Sequence, residues 1–238
     1  MKKIEDLRKT EGEVFEKTTL DALAKLMNDG FIDYIDFPIS TGKEGNVFRG
    51  VCGERLIAIK IYRINTATFR SISKYLMYDP PEKIKFDRRN IIFAWAKKEF
   101  GNLKKLYEAG VRVPEPIAIE ENVIVMEYIG SKAKPAPLLK DANIKNAEKI
   151  FEKIKKYLKL MYQKAKLVHA DFSEYNVLIY RNNPVIIDVG QTVKRENPMA
   201  MEFLRRDVYN IVKFFKKFIN IEEEDTISYI MSDEDEVC

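Results

Sequence analysis

The stretch His169-Ala170-Asp171-Phe172-Ser173-Glu174-Tyr175-Asn176, followed farther on by Asp188-Val189-Gly190, constrains this chain more than any other feature. Two short apolar runs, VLIY (177–180) and VIID (185–188), lie beyond Asn176 and read as strands. The order H-x-D-x-x-x-x-N and then D-x-G puts two carboxylates and a carboxamide on one loop and the end of a following strand. Such a set suits phosphoryl transfer. The transferred group gains little from covalent help, so a site must place the phosphates, neutralise their charge with metal and orient an acceptor hydroxyl. Asp171 is the residue to face the acceptor, while Asn176 and Asp188 supply hard oxygen ligands for magnesium. His169 is the only histidine and invites a catalytic reading. Packing beneath the loop, with a hydrogen bond to nearby backbone, accounts for it better. A triad built on Ser173 would leave the rest of the pattern unused.

The same chemistry needs a phosphate cradle. Ser40-Thr41-Gly42-Lys43-Glu44-Gly45-Asn46-Val47 matches G-x-G-x-x-G-x-V with serine at the first glycine, and Ser40, Gly42 and Lys43 are its candidate contacts. Alone, it is equally a plain glycine-rich turn. The context narrows it: LIAIKIY (56–62) alternates as a strand and carries Lys60, which can bridge two phosphates. IIFAWAKKEFGNLKKLYEAG (91–110) is the best helix, with Gly110 as its C-cap. Its apolar stripe of Ile92, Trp95, Leu103 and Leu106 also holds Glu99. A carboxylate there is either partly exposed or paired with a buried cation, and Lys60 is the cation on offer. VRVPEPIAI and VIVMEYIG read as two more strands, the second ending at Gly130. Near its end Glu127 would offer its carbonyl and Ile129 its N–H to an adenine, their side chains mattering little.

Composition excludes several classes. Two cysteines and one histidine build neither a disulfide framework nor a zinc site, which points to a reducing, cytoplasmic setting. MKKIEDLRKTEGEV lacks the apolar stretch of a signal peptide, and no segment approaches the ~20 apolar residues of a membrane span. The net charge of +4 hides an asymmetry: residues 222–238 carry eight acids and no Lys or Arg. The rest has 41 basic against 29 acidic residues, about +12. That body suits a polyanion such as RNA or nucleotide phosphates, or is simply an ion-paired, solvated surface. Residues 1–30 read as helical, 63–90 as a long polar stretch, and 143–165 and 199–219 as helices. Ser71, Ser73, Thr66 and Thr68 in the polar stretch are either phosphorylation sites or ordinary loop residues.

With these motifs in view, the chain resembles the RIO family of atypical serine/threonine protein kinases, in its type-1 branch and in a compact archaeal-like form. The likeness runs over roughly residues 38–215: STGKEGNVF, KIYR (60–63), WAKKEFGNLKKLYEAGVRVPEPI (95–117), VMEYIG (125–130), HADFSEYN (169–176), IIDVGQ (186–191) and RRDVYNIVKFF (205–215). The resemblance implies an α+β, bilobal kinase-like fold: a small antiparallel sheet with one long helix, then a mainly helical C-lobe without an activation loop. The organisation expected is a helical extension (1–36), an N-lobe (37–128), a C-lobe (129–221) and an acidic tail (222–238). It further implies ATP with Mg2+, or Mn2+ in its place, Asp171 as catalytic aspartate, Asn176 and Asp188 as metal ligands, and Lys60 on the phosphates. Asp188 would also act as a transient nucleophile in an ATPase cycle. A small-ribosomal-subunit precursor, with its rRNA and proteins, is the implied partner, and the chain is expected as a monomer or weak homo-oligomer. Gly45 stands where this branch usually has alanine, a change expected to spare phosphate contact. Two other functions compete. An aminoglycoside- or choline-type small-molecule phosphotransferase shares the motifs but usually has a larger C-lobe with an acidic substrate cleft, whereas this one is small and Lys-rich. An rRNA-binding scaffold would use nucleotide only as a switch.

Overall fold

The computed structural model describes residues 16–42, 44–64, 72 and 87–232. The chain divides into two units, one taking the residues up to Gly101 with Glu115–Pro135, the other Asn102–Pro114 and everything from Ala136 on. The fold is α+β, as the sequence implied: an antiparallel sheet and a long helix first, mostly helices after.

In the first unit, runs rich in β-branched residues form β1 (Tyr34–Thr41), β2 (Gly45–Cys52), β3 (Arg55–Tyr62), β4 (Pro116–Glu120) and β5 (Val123–Glu127). They pair in the order β1-β2-β3-β5-β4, all antiparallel. Helix α1 (Lys17–Asn28) supplies Ala22, Leu23 and Leu26 to a core with Ile35, Ile57, Ile59, Ile61, Val123 and Val125. Burying each isoleucine is worth about 1.5–3 kcal/mol. Because side chains alternate along a strand, three isoleucines on one face of β3 commit Ala58, Lys60 and Tyr62 to the other. The hydrophobic pattern therefore aims the lysine. Asn122 ties α1 to the sheet, its Nδ2 donating to Thr19 Oγ1 at 2.9 Å and to the Tyr62 carbonyl at 2.7 Å.

Helix α2 (Arg88–Glu108) starts where Asp87 Oδ1 accepts the Asn90 N–H at 2.9 Å. It stops at Gly110, whose φ of 82° lets the Val111 N–H return to the Leu106 carbonyl at 3.0 Å. Ile92, Trp95, Leu103 and Leu106 are all buried. The division between units cuts α2 after Gly101.

The second unit holds α3 (Ala147–Gln163), α4 (Ala200–Phe215) and α5 (Glu223–Met231), with two short pairs, β6 (Leu167–Val168) with β9 (Val193–Lys194) and β7 (Val177–Tyr180) with β8 (Asn183–Ile186). The side chain of Asn146 caps α3, accepting the Lys149 N–H at 2.8 Å. Ile150, Ile154 and Leu158 of α3 and Leu204, Val208 and Ile211 of α4 are buried, and the Phe151 and Phe215 rings meet at 5.3 Å. Gln163 Nε2 donates to the carbonyls of Ile230 at 3.2 Å and Met231 at 2.8 Å, fastening α5. Among the described residues, no helix is long and apolar enough to cross a membrane.

Several element limits differ from the sequence reading. β5 ends at Glu127, not Gly130, and Gly130 instead bridges to Pro135 in a turn so tight that a Cβ would stand 2.7 Å from the Lys134 carbonyl. β8 ends at Ile186, short of Asp188, because Asp188 is left-handed (φ 64°) and cannot extend a ladder. Within the acidic tail, Glu223–Met231 is helical. Residues 1–15, nearly all of the polar stretch with its four serines and threonines, and 233–238 lie outside the described residues.

Candidate active site

In the first unit the site begins with Lys60. Its Nζ lies 2.8 Å from Glu99 Oε1, and Glu99 is only 2% exposed. Tyr62, two residues on and therefore on the same face of β3, donates its hydroxyl to Glu99 Oε2. Both carboxylate oxygens are used, which a buried charge requires. The acid on the apolar stripe thus has its cation. Tyr62 was not singled out in the sequence, although its spacing from Lys60 is the signal that could have found it.

At the hairpin tip, Ser40 pairs with Val47 and Thr41 with Asn46, and the Gly42 N–H donates to the Gly45 carbonyl at 2.9 Å. That amide, expected to face phosphate, closes the turn instead. Lys43 lies outside the described residues. Gly45 serves strand contact, since a Cβ there would meet the Ile61 carbonyl oxygen at 2.4 Å. Beyond β5, the Glu127 N–H donates to the Glu115 carbonyl at 2.9 Å, and its carboxylate accepts the Glu115 N–H at 3.2 Å. Its side chain therefore matters, contrary to expectation: it fixes the chain entering β4. Ile129 is buried.

In the second unit, the catalytic-loop motif leaves β6 with Ala170 in the left-handed region (φ 66°), a strained choice for a residue with a Cβ. What holds it there is α4. Asp207, fully buried, accepts the Ala170 N–H at 2.8 Å on one oxygen and the Phe172 N–H at 2.8 Å on the other. Arg206 donates to the Ala170 carbonyl, and Asn210 Nδ2 to the Phe172 carbonyl at 3.1 Å. Every backbone polar group of the two residues flanking Asp171 is thereby tied down, while Asp171 itself is exposed. Asn176 Nδ2 donates to the Asp171 carbonyl at 2.7 Å, and the Asn176 carbonyl accepts the Ile187 N–H at 3.0 Å. These bonds draw Asp171, Asn176 and the segment carrying Asp188 together. Asp188 is exposed and left-handed, and Asn102 Nδ2 secures the turn after it by donating to the Val189 carbonyl at 2.9 Å. Asp207 and Asn102 went unremarked in the sequence, yet each is a polar residue on an apolar helix face, the same signal that marked Glu99.

Two titratable groups underlie the loop. Burial pushes the Asp207 carboxyl up to about 7, against its two amide donors. Burial lowers His169 to about 4, the Ile187 carbonyl and the Asp188 charge pulling the other way. His169 Nε2 lies 3.2 Å from the Ile187 carbonyl, which accepts its N–H, and its ring meets Phe172 edge-on at 5.3 Å. His169 is thus packed beneath the loop, as expected. Because it is the only histidine, its imidazole resonances are unambiguous by NMR. They should stay neutral until about pH 4, and a midpoint near the ordinary 6.5 would show that the ring is not buried.

A family model described as the RIO domain matches residues 46–227. The RIO-type serine/threonine-protein kinase Rio1 of Haloferax volcanii is 44% identical over 214 residues, spanning 89% of this chain and 73% of that protein. The chain belongs to the RIO family of serine/threonine protein kinases. Its type-1 character rests also on the Rio1 kinase of Methanocaldococcus jannaschii, 40% identical over 97% of this chain and 80% of that protein. The RIO fold extends to a solved Rio2 kinase from Chaetomium thermophilum, described as an ADP/Mg2+-phosphoaspartate complex. It superposes with a TM-score of 0.71 at 23% identity, covering 97% of this chain and 75% of that one.

Proposed function

We propose that this RIO kinase transfers the γ-phosphoryl group of ATP to serine or threonine hydroxyls and, in an ATPase cycle, transiently to its own Asp188. The observation that carries the reading is the clamp on the catalytic loop: α4 holds both peptide groups around Asp171, and Asn176 reaches back to the Asp171 carbonyl. In transfer to a protein, Asp171 takes the proton of the acceptor hydroxyl as its oxygen bonds to the γ-phosphorus. The bond to the bridging oxygen breaks and ADP leaves with that electron pair. Lys60, held by Glu99, takes the α- and β-phosphates.

Asn176 and Asp188 fit Mg2+. The Asn176 nitrogen is spent on the Asp171 carbonyl, leaving its oxygen as one donor and the Asp188 carboxylate as the other, a pair that phosphates and water would complete. Bound there, the ion would neutralise the phosphate charge. An exposed carboxylate in a strained left-handed conformation also suits a nucleophile: it attacks the γ-phosphorus, ADP leaves, and water then cleaves the acyl phosphate. The aspartyl phosphate named for the Chaetomium Rio2 complex supports this step. A precursor of the small ribosomal subunit is the proposed setting, and a body of about +12 outside the acidic tail favours such a polyanionic partner.

The test is incubation of the purified chain with γ-labelled ATP and Mg2+. Label stable to acid on serine or threonine is expected for kinase action. Label released by neutral hydroxylamine and absent in Asp188→Asn is expected for the aspartyl intermediate. No label and no ADP formed would end the proposal.

A further inference from the structure

Tyr175 is 57% exposed, the most exposed of the large hydrophobic side chains among the described residues. It lies between Glu174 and Asn176 on the catalytic loop, four residues after Asp171, and the transfer chemistry leaves it unused. Its ring carries a cation: Lys140 Nζ stands 4.7 Å from the centroid. Lys140 belongs to a single 3-10 turn, Leu139–Asp141. That turn is tied to the loop by the Lys140 N–H, which donates to the Glu174 carbonyl at 3.3 Å, and by a bridge between Leu138 and Leu178. The turn that carries the ammonium is therefore joined by backbone bonds to the loop that carries both the ring and Asp171. The Asp141 carboxylate lies 3.8 Å from Lys140 Nζ, too far for a hydrogen bond, so the ammonium keeps donor capacity for another carboxylate.

We infer that Tyr175 and Lys140 form an acceptor-docking platform, on which the ring supports the acceptor segment and the ammonium pairs with an acidic side chain near the serine or threonine. Exposed aromatics that become covered on binding are the usual anchors of recognition, and a neighbouring cation sets the preferred charge. Asp141 and Glu174 border the platform, and the Lys140 ammonium, held over the ring, is the group that meets an acidic acceptor. The inference rests on the kinase reading above.

The experiment compares two acceptor peptides of equal length, one with serine among glutamates and one with serine among lysines. Wild type should prefer the acidic peptide. Tyr175→Ala should raise KM for that peptide about tenfold while KM for ATP moves less than about twofold. Tyr175→Phe should restore the wild-type value, because the ring rather than the hydroxyl acts. Lys140→Glu should abolish or invert the charge preference. Equal use of the two peptides by wild type, an unchanged peptide KM in Tyr175→Ala, or parallel rises in both KM values would overturn the platform. A wild type that turns over ATP but phosphorylates neither peptide also overturns it and leaves the kinase reading intact. A wild type that forms no ADP brings down both.

Discussion

Substituting Asp171 with asparagine should lower phosphoryl transfer by about 10²–10⁴-fold, the range of a positioned general base, and leave nucleotide binding in place. The substitution keeps the shape and removes the group that accepts the proton. Folding should be unaffected, because the Asp171 side chain is exposed and its flanking peptides are held by Asp207, Arg206 and Asn210 instead. Steady-state ADP release and an equilibrium nucleotide titration on the same preparation separate the two effects. Turnover within tenfold of wild type would remove Asp171 from the role of base. A matching loss of nucleotide affinity would mean instead that it serves binding.

Asp207→Ala should be the most destabilising of the substitutions considered. It leaves the buried N–H groups of Ala170 and Phe172 without acceptors, at about 1–3 kcal/mol each, and turnover should fall with the loop it holds. Asp207→Asn should lose less than Asp207→Ala, since its amide oxygen still accepts one of the two donors. Denaturant unfolding measures the cost, and its pH dependence checks the cause. With the folded carboxyl raised from 3.8 to about 7, the stability it contributes is complete below pH 3.8 and is lost as pH rises to about 7. The difference between wild type and Asp207→Asn should therefore shrink over that window. His169 acts in the opposite sense. Its folded value of about 4 lies below 6.5, so its contribution is present above 6.5 and lost as pH falls to about 4. With Asp207 replaced, that opposing slope should stand out. A difference that grows with pH would mean that Asp207 is ionised throughout.

Much of this was legible in the sequence because unlike residues interrupt regular patterns. Glu99 stood out as an acid on an apolar helix stripe, and the alternation of β3 separated Lys60 from three isoleucines. Asp207 carried the same signature, with Leu204, Val208 and Ile211 on its face of α4, but adjoining Arg205 and Arg206 make that stretch read as a polar run. Backbone facts were illegible for a different reason. VIID looks uniformly apolar up to its last residue, and nothing in the letters says that Asp188 turns left-handed and ends the strand early. Likewise, a glycine-rich loop announces conformational freedom without telling which carbonyl each amide will find. The Gly42 N–H found that of Gly45. The Glu127 carboxylate was misjudged because its partner, the Glu115 N–H, is a backbone group twelve residues away and leaves no mark in composition.

The placement of Trp95 has a practical consequence. It is the sole tryptophan, buried one helical turn before Glu99, with the Lys98 ammonium 5.4 Å from its ring. Indole emission from the unlabelled chain therefore reports on a single shielded point beside the Lys60–Glu99 pair. A spectroscopist can follow events at that pair by intrinsic fluorescence, with no dye to attach.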